Sequence, residues 1–113
     1  SSEESQILSN LNSDSLFDRK KYETEYINWA ERFASKAELM IQHNTDFLNF
    51  IDKNEQTLQD TTNVNTVKVK TSIRDLNSKL KRSIEGVNGN LKTFEEEAQK
   101  SKAIQDLLLI GLA

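Results

Sequence analysis

Apolar residues return at steps of three and four along most of the chain, and no proline interrupts them. This spacing places side chains on one face of an α-helix, whereas a proline would break a helix interior. Glycine occurs only three times in 113 residues, and Asn, Gln, Lys, Glu, Leu and Ser fill long stretches. A β-sandwich and a disordered linker both fit this composition poorly. The sequence therefore predicts a single all-α unit.

The first predicted helix runs from about residue 15 to about residue 59. Residues 12–15 indicate its start, because their short polar side chains can accept hydrogen bonds from the unpaired amides of a first turn. Two adjoining heptad stripes give this helix one broad apolar face. The large residues of that face are Tyr22, Tyr26, Trp29, Phe33, Met40, Phe47 and Phe50.

The second predicted helix runs from about residue 65 to about residue 105 and follows a polar turn over DTTNVNT, residues 60–66. Gly86 and Gly89 lie inside it and weaken it by roughly 1 kcal/mol each relative to alanine. The similar lengths of the two helices favour an antiparallel hairpin. Its apolar stripe consists of Val69, Ile73, Leu76, Leu80, Ile84, Val87, Leu91, Phe94 and Ala98.

The apolar face of the first helix is wider than one helix–helix seam can bury. We therefore expect a third or fourth helix, supplied by another copy, another subunit or a further part of the chain. Tyr22, Tyr26, Trp29 and Phe33 become candidate partner-binding residues. For Trp29 two interpretations stay open, a hot spot in an interface and an internal contact with the second helix.

The chain closes on IQDLLLIGLA, residues 104–113. This segment is too short to span a bilayer and lacks the strongly basic face of a membrane-surface helix. Its aliphatic side chains lie on more than one side of a helix, so we predict a docking segment that leaves the hairpin and inserts into a partner. The organisation expected is a flexible segment over 1–13, a coiled-coil or bundle region over 14–103 and docking contacts from Ile104, Leu107, Leu108, Ile110 and Leu112.

Few chemical functions are compatible with this sequence. There is no cysteine and only one histidine, His43, so neither a metal site nor a catalytic triad is expected. We expect no enzyme activity, no cofactor and no small-molecule substrate. Direct nucleic-acid binding is not expected, because the chain has a net charge of −3 and no aromatic residue lies among the cations of residues 66–82. No signal peptide or apolar run long enough for a membrane span is present, which predicts an intracellular protein.

Three stretches together suggest a family. They are EYINWAERF, the lysine-rich VKVKTSIRDLNSKLKRSIEGVNGNLKTFEEEAQ, and the leucine-rich IQDLLLIGLA. In pattern and spacing they resemble the C-terminal half of the Dsn subunit of the MIND (Mis-twelve) kinetochore complex of budding yeasts. The resemblance implies a nuclear subunit of a four-subunit rod that joins centromere-bound proteins to the microtubule-binding Ndc complex. It also implies that Ile104, Leu107, Leu108, Ile110 and Leu112 dock on the globular heads of the Spc subunits.

The main hypothesis from the sequence is a non-catalytic coiled-coil scaffold subunit that assembles with other helical subunits into a hetero-oligomer. One alternative is a helical-bundle module in vesicle tethering or membrane fusion. Another is a self-contained homodimeric four-helix bundle, which would need no foreign partner.

Overall fold

The computed structural model describes residues 1–10 and 16–112. Within these residues the chain forms three α-helices and no strand: α1 (Ser2–Asn10), α2 (Leu16–Thr61) and α3 (Thr66–Leu112). The prediction of an all-α fold with two long helices is confirmed. The turn between α2 and α3 falls within the stretch predicted for it.

The N-terminus differs from the prediction of a flexible segment over 1–13, because nine of its residues form α1. The Ser1 hydroxyl accepts a hydrogen bond of 3.2 Å from the Glu4 amide and so caps the first turn. Ile7 is buried and anchors the helix. The capping residues predicted for the start of α2, 12–15, lie outside the described residues.

The C-terminus also differs from the prediction. A docking segment was expected to leave the helix near residue 104, but α3 continues without interruption to Leu112. No proline is present, and no glycine lies between Gly89 and Gly111. The segment therefore contains no signal that would end a helix, and its leucines favour continuing it. The structure moves the end of the second helix from about residue 105 to residue 112.

The chain divides into two compact units. The terminal unit combines Ser1–Ala30 with Gly86–Ala113, and the hairpin unit comprises Glu31–Glu85. The core of the terminal unit contains Ile7, Tyr26, Trp29, Ala30 and Val87, and that of the hairpin unit contains Ala37, Ile51 and Ile73.

Polar contacts fix the antiparallel register of the hairpin unit. The Asn44 side-chain amide donates a 2.8 Å hydrogen bond to the side-chain carbonyl oxygen of Asn77, and Asn77 is buried. Nearer the turn, the buried Thr66 hydroxyl donates to Glu55 at 2.9 Å, while Lys70 lies 3.1 Å from the same carboxylate. The residue number on α2 rises from 44 to 55 while that of the contacting residue on α3 falls from 77 to 66. These contacts therefore define an antiparallel helix pair.

One position of the predicted stripe is corrected. Leu76 was placed among the inward-facing residues of α3, but its side chain is 53% exposed, and the buried position belongs to Asn77. A polar residue can occupy a core position when its hydrogen bond is made inside the core, and Asn44 supplies that bond.

Candidate protein-binding site

The C-terminal end of α3 presents a cluster of large aliphatic side chains to solvent. We call residues 104–112 the α3 tip. Six of its side chains are between 59% and 84% exposed: Ile104, Leu107, Leu108, Leu109, Ile110 and Leu112. Contiguous exposed apolar surface of this kind is a candidate interaction site, whereas scattered single apolar residues need no explanation.

Helix geometry arranges most of the tip as one stripe. With successive residues about 100° apart, Ile104, Leu107, Leu108 and Leu112 fall on one side of α3. Leu109 and Ile110 fall on the two flanks beyond it. Leu112 lies five turns after Phe94 and so returns to the packed side of α3, whereas the other three residues of the stripe are turned from that side by about 40° to 140°. The stripe therefore begins at the packed side of α3 and extends around the helix from it.

Nothing in the described part of the chain buries the tip. From residue 95 to residue 112 no side chain is buried. In this stretch Glu97 forms an ion pair with Arg19 at 3.5 Å, and the two side chains are 48% and 42% exposed. Solvent-exposed ion pairs of this kind contribute little to stability. The tip extends beyond the packed part of the terminal unit.

A second group of predicted site residues is buried within the terminal unit. The Tyr26 side chain is fully buried, with its ring centroid 5.5 Å from that of Trp29 and 5.3 Å from that of Phe94 in an edge-to-face contact. Its hydroxyl donates to the Glu4 carboxylate at 2.8 Å and accepts a hydrogen bond from the Asn90 amide at 2.8 Å. One atom thus connects α1, α2 and α3.

The environment of Tyr26 changes its acidity. Burial is the largest influence and raises the pKa of Tyr26 to about 12, and the Glu4 carboxylate acts in the same direction. The hydrogen bond from Asn90 opposes this rise. The phenol is therefore held in its neutral form, in which it can donate to Glu4.

The other predicted partner-binding residues lie in intermediate positions. Tyr22 is half-buried, with the Lys21 ammonium 5.6 Å from the centroid of its ring, and Phe33 is half-buried in the hairpin unit. Trp29 has an internal aromatic contact, made with Tyr26 of the same helix. The partner-binding role of these residues stays a prediction, and for Tyr26 and Trp29 it would require the terminal unit to open. Sequence reasoning missed Glu4 and Asn90.

The described residues also bear on metal binding and on membrane crossing. His43 is exposed on α2. Across residues 1–10 and 16–112 no three His, Cys, Asp or Glu side chains are grouped so that they could hold a metal ion. None of the described helices has the length and hydrophobicity that crossing a membrane requires.

The chain was compared with protein families, curated proteins and solved structures. No protein-family model matches the chain, and neither the curated proteins nor the solved structures provide a match. The exposed α3 tip is therefore the feature from which a function is argued.

Proposed function

We propose that the chain is a non-catalytic helical scaffold subunit that binds a protein partner through the α3 tip. The observation that carries this proposal is the exposure of six large aliphatic side chains on the last nine residues of α3. Fully burying each one would contribute roughly 1.5 to 3 kcal/mol before ordering costs. Removal of this surface from water is the driving force for docking.

The distribution of the tip residues favours a concave partner. A single partner helix would cover the stripe of Ile104, Leu107 and Leu108 but leave Leu109 and Ile110 in water. A groove in a folded domain can contact a helix on several sides at once. Gly111 has open space around it, so the partner's backbone can approach the helix closely at that point.

The specific version of this proposal is a nuclear kinetochore linker subunit. It is supported by the resemblance to the Dsn subunit, in which a leucine-rich end docks on the heads of the Spc subunits. In the hairpin unit two helices of one chain pair with each other in antiparallel orientation. In the rod of that family, by contrast, different subunits run largely side by side. The scaffold role and its kinetochore version therefore need separate tests.

The kinetochore version is tested by measuring binding to the purified Spc head domains by fluorescence anisotropy. Substituting Leu107→Ala, Leu108→Ala and Ile110→Ala should abolish binding while circular dichroism shows unchanged helicity. The control is Leu39→Ala with Val67→Ala, which removes two side chains of similar exposure, 57% and 63%, from the hairpin unit. Equal binding by the triple variant and the control would refute docking through the tip. A wild-type chain that does not bind the heads would refute the kinetochore version.

The scaffold role is tested by light scattering of the isolated chain over a dilution series. A concentration-independent species of 13.0 kDa with an exposed tip is expected. A stable species of twice that mass, lost in the triple variant, would instead indicate the homodimeric bundle. Flotation with liposomes would indicate the membrane-tethering alternative.

A further inference from the structure

Two heptad series run along α2 and give its broad apolar face. Tyr26, Phe33, Met40 and Phe47 are seven residues apart, as are Trp29, Lys36, His43 and Phe50. Residues seven apart lie on nearly the same side of a helix. The early members of both series belong to the terminal unit and the later ones to the hairpin unit. The two units can therefore be compared at equivalent helix positions.

In the terminal unit these positions are covered. Tyr26 is fully buried and Trp29 is 6% exposed. The Tyr26 hydroxyl is hydrogen-bonded to Glu4 of α1, and α1 buries its own Ile7. The sequence of α1, SEESQILSN, contains two glutamates and no basic residue. The element packed beside Tyr26 is thus a short, acidic amphipathic helix.

In the hairpin unit Phe33 is half-buried, but the large apolar residues that follow it in the two series are uncovered. Met40, Phe47 and Phe50 are 54%, 49% and 52% exposed. The rings of Phe47 and Phe50 are stacked, with centroids 6.2 Å apart and planes 11° from parallel. Their exposed surface is therefore contiguous and not a set of isolated side chains.

The other helix of the hairpin unit adds to the same surface. Leu76 is 53% exposed and immediately precedes the inward-facing Asn77, as Phe47 immediately precedes Leu48. In an antiparallel helix pair, residues one position before an equivalent core position lie on the same side of the pair. The Asn44–Asn77 hydrogen bond sets the register that brings Leu76 near the level of Phe47. We name Met40, Phe47, Phe50 and Leu76 the aromatic face.

Cations predominate along the aromatic face, although the exposed Asp46, four residues before Phe50, borders it. The heptad positions that form this side of the hairpin unit include Lys36 and Lys79 and no Asp or Glu. Lys79 is 62% exposed, although it is 3.0 Å from Asp75 on its outer side. The acidic residues Glu38 and Asp52 occupy positions on the other side of the pair. The aromatic face is therefore matched to a ligand with negative charge.

We propose that the aromatic face is a docking site for an amphipathic helix of a partner protein, whose apolar stripe is flanked by Asp or Glu. The proposal deepens the scaffold function and rests on it. It is argued from charge complementarity and from α1, an acidic amphipathic helix that contacts Tyr26, the residue of the terminal unit equivalent to Met40 and Phe47. A second copy of the chain fits less well, because two aromatic faces that both carry Lys36 and Lys79 would bring surfaces of like net charge together.

A fluorescent label on the aromatic face tests the proposal directly. The chain has no cysteine, so Ser72→Cys carries a single environment-sensitive dye on this side of α3. Ser78→Cys, which is also exposed, carries the dye on the other side as a matched control. The probes are a synthetic amphipathic helical peptide with a leucine stripe flanked by glutamates, and the same peptide with lysines in place of the glutamates.

The glutamate peptide should shift the emission of the label at position 72 and leave that at position 78 unchanged. It should bind about tenfold more tightly than the lysine peptide, a preference that Lys36→Glu with Lys79→Glu should reverse. Phe47→Gln with Phe50→Gln should weaken binding by about tenfold or more with helicity retained, because both side chains are already half in water. Val64→Gln with Val67→Gln, also exposed residues but outside the face, should bind as the unsubstituted chain does.

Four results would overturn the proposal. They are the absence of binding, equal affinity for the two peptides, a label shift that depends only on the concentration of the chain, and a shift produced by phosphatidylserine vesicles in place of the peptide. The third would assign the face to a second copy, and the fourth to a membrane surface.

The two proposals fail separately. The triple alanine variant of the α3 tip should still bind the glutamate peptide, and the Phe47→Gln, Phe50→Gln variant should still bind through the tip. If the tip binds no partner while the glutamate peptide binds as expected, the docking site on the aromatic face is supported and the scaffold role of the α3 tip is refuted.

Discussion

The hydroxyl of Tyr26 and the carboxylate of Glu4, 22 positions apart in the chain, are joined by a hydrogen bond of 2.8 Å. Asn90 donates to the same hydroxyl, so one buried atom holds three helices of the terminal unit. A nine-residue helix such as α1 is not stable alone in water. Its position therefore depends on this bond and on the burial of Ile7.

Tyr26→Phe should destabilise the terminal unit by about 1 to 3 kcal/mol, because Glu4 and Asn90 both lose a partner in a part-buried place. Urea denaturation followed by circular dichroism measures the change. Tyr22→Phe serves as the control, since Tyr22 is only half-buried, and should change stability by less than about 0.5 kcal/mol. Equal losses in the two variants would contradict the role given to the hydrogen bonds.

The same tyrosine should make stability depend on alkaline pH. Its pKa is raised from 10.0 to about 12 in the folded chain, so its contribution is complete below pH 10 and is lost as the pH rises through about 12. The tyrosinate absorbance of Tyr22→Phe, which leaves Tyr26 as the only tyrosine, should report this late ionisation. The ionisation of lysines contributes to unfolding in the same pH range. Comparing the pH dependence of unfolding of the parent chain with that of Tyr26→Phe isolates the part that comes from Tyr26. Ionisation near pH 10 in the folded chain would contradict burial of the phenol.

The Asn44–Asn77 pair should respond differently to single and double substitution. Asn44→Ala leaves the buried Asn77 amide without its partner and should cost about 1 to 3 kcal/mol, whereas replacing both with leucine should be neutral or stabilising. The double variant should also lose uniqueness of register, because a buried polar pair favours one alignment of two helices. Spin labels placed on α2 and α3 would measure this as a broadened distance distribution. A distribution as narrow as that of the unsubstituted chain would show that apolar packing alone sets the register.

Glu55 should make the hairpin unit sensitive to acid. Hydrogen bonds from Thr66 and Lys70 lower the pKa of Glu55 below its ordinary value of 4.5. The contribution of Glu55 to the free energy of unfolding is therefore present above pH 4.5 and is lost as the pH falls through the lowered pKa. Thermal unfolding of Glu55→Gln over this range should show a flatter pH dependence than the parent chain. A pH dependence as steep as that of the parent chain would contradict this role of Glu55.

Gly86→Ala and Gly89→Ala should each stabilise α3 by about 0.5 to 1 kcal/mol, because alanine loses less backbone entropy in a helix. A Cβ built at either position meets nothing within 4 Å, so the added methyl group has room. Thermal denaturation of the single and double variants measures the gain. Destabilisation by either substitution would indicate that the backbone of a partner chain lies close to that glycine.

The long helices could be predicted from the sequence because their apolar spacing continues over many turns and the polar stretch DTTNVNT interrupts it. Asn77 could not be found in this way, since a pattern of apolar residues places Leu76 inward and does not register that Asn44 can satisfy a buried amide. The α1 helix was missed for a similar reason. It is short, and a bond to a residue 22 positions away decides its place.

The α3 tip was predicted as a surface but not as a helix. Its leucines indicated that the hairpin alone would not bury them, and their exposure agrees with that argument. The error was to infer a break in the helix from a change in hydrophobicity. Helices end where capping residues, glycine or proline allow it, and none of these precedes Gly111 in the tip.

The uncovered end of α3 has a consequence for the speed of exchange between partners. The stretch from 95 to 112 is about 27 Å of helix whose side chains are not buried. Helix of this length without tertiary packing is only marginally stable in water, so its last turns open and re-form in the free chain. Capture of the tip must include the entropy of ordering those turns, which shortens the lifetime of the complex for a given contact area. Helix propensity alone, through a residue such as Gly111, can then set how long the complex lasts without changing any contact with the partner.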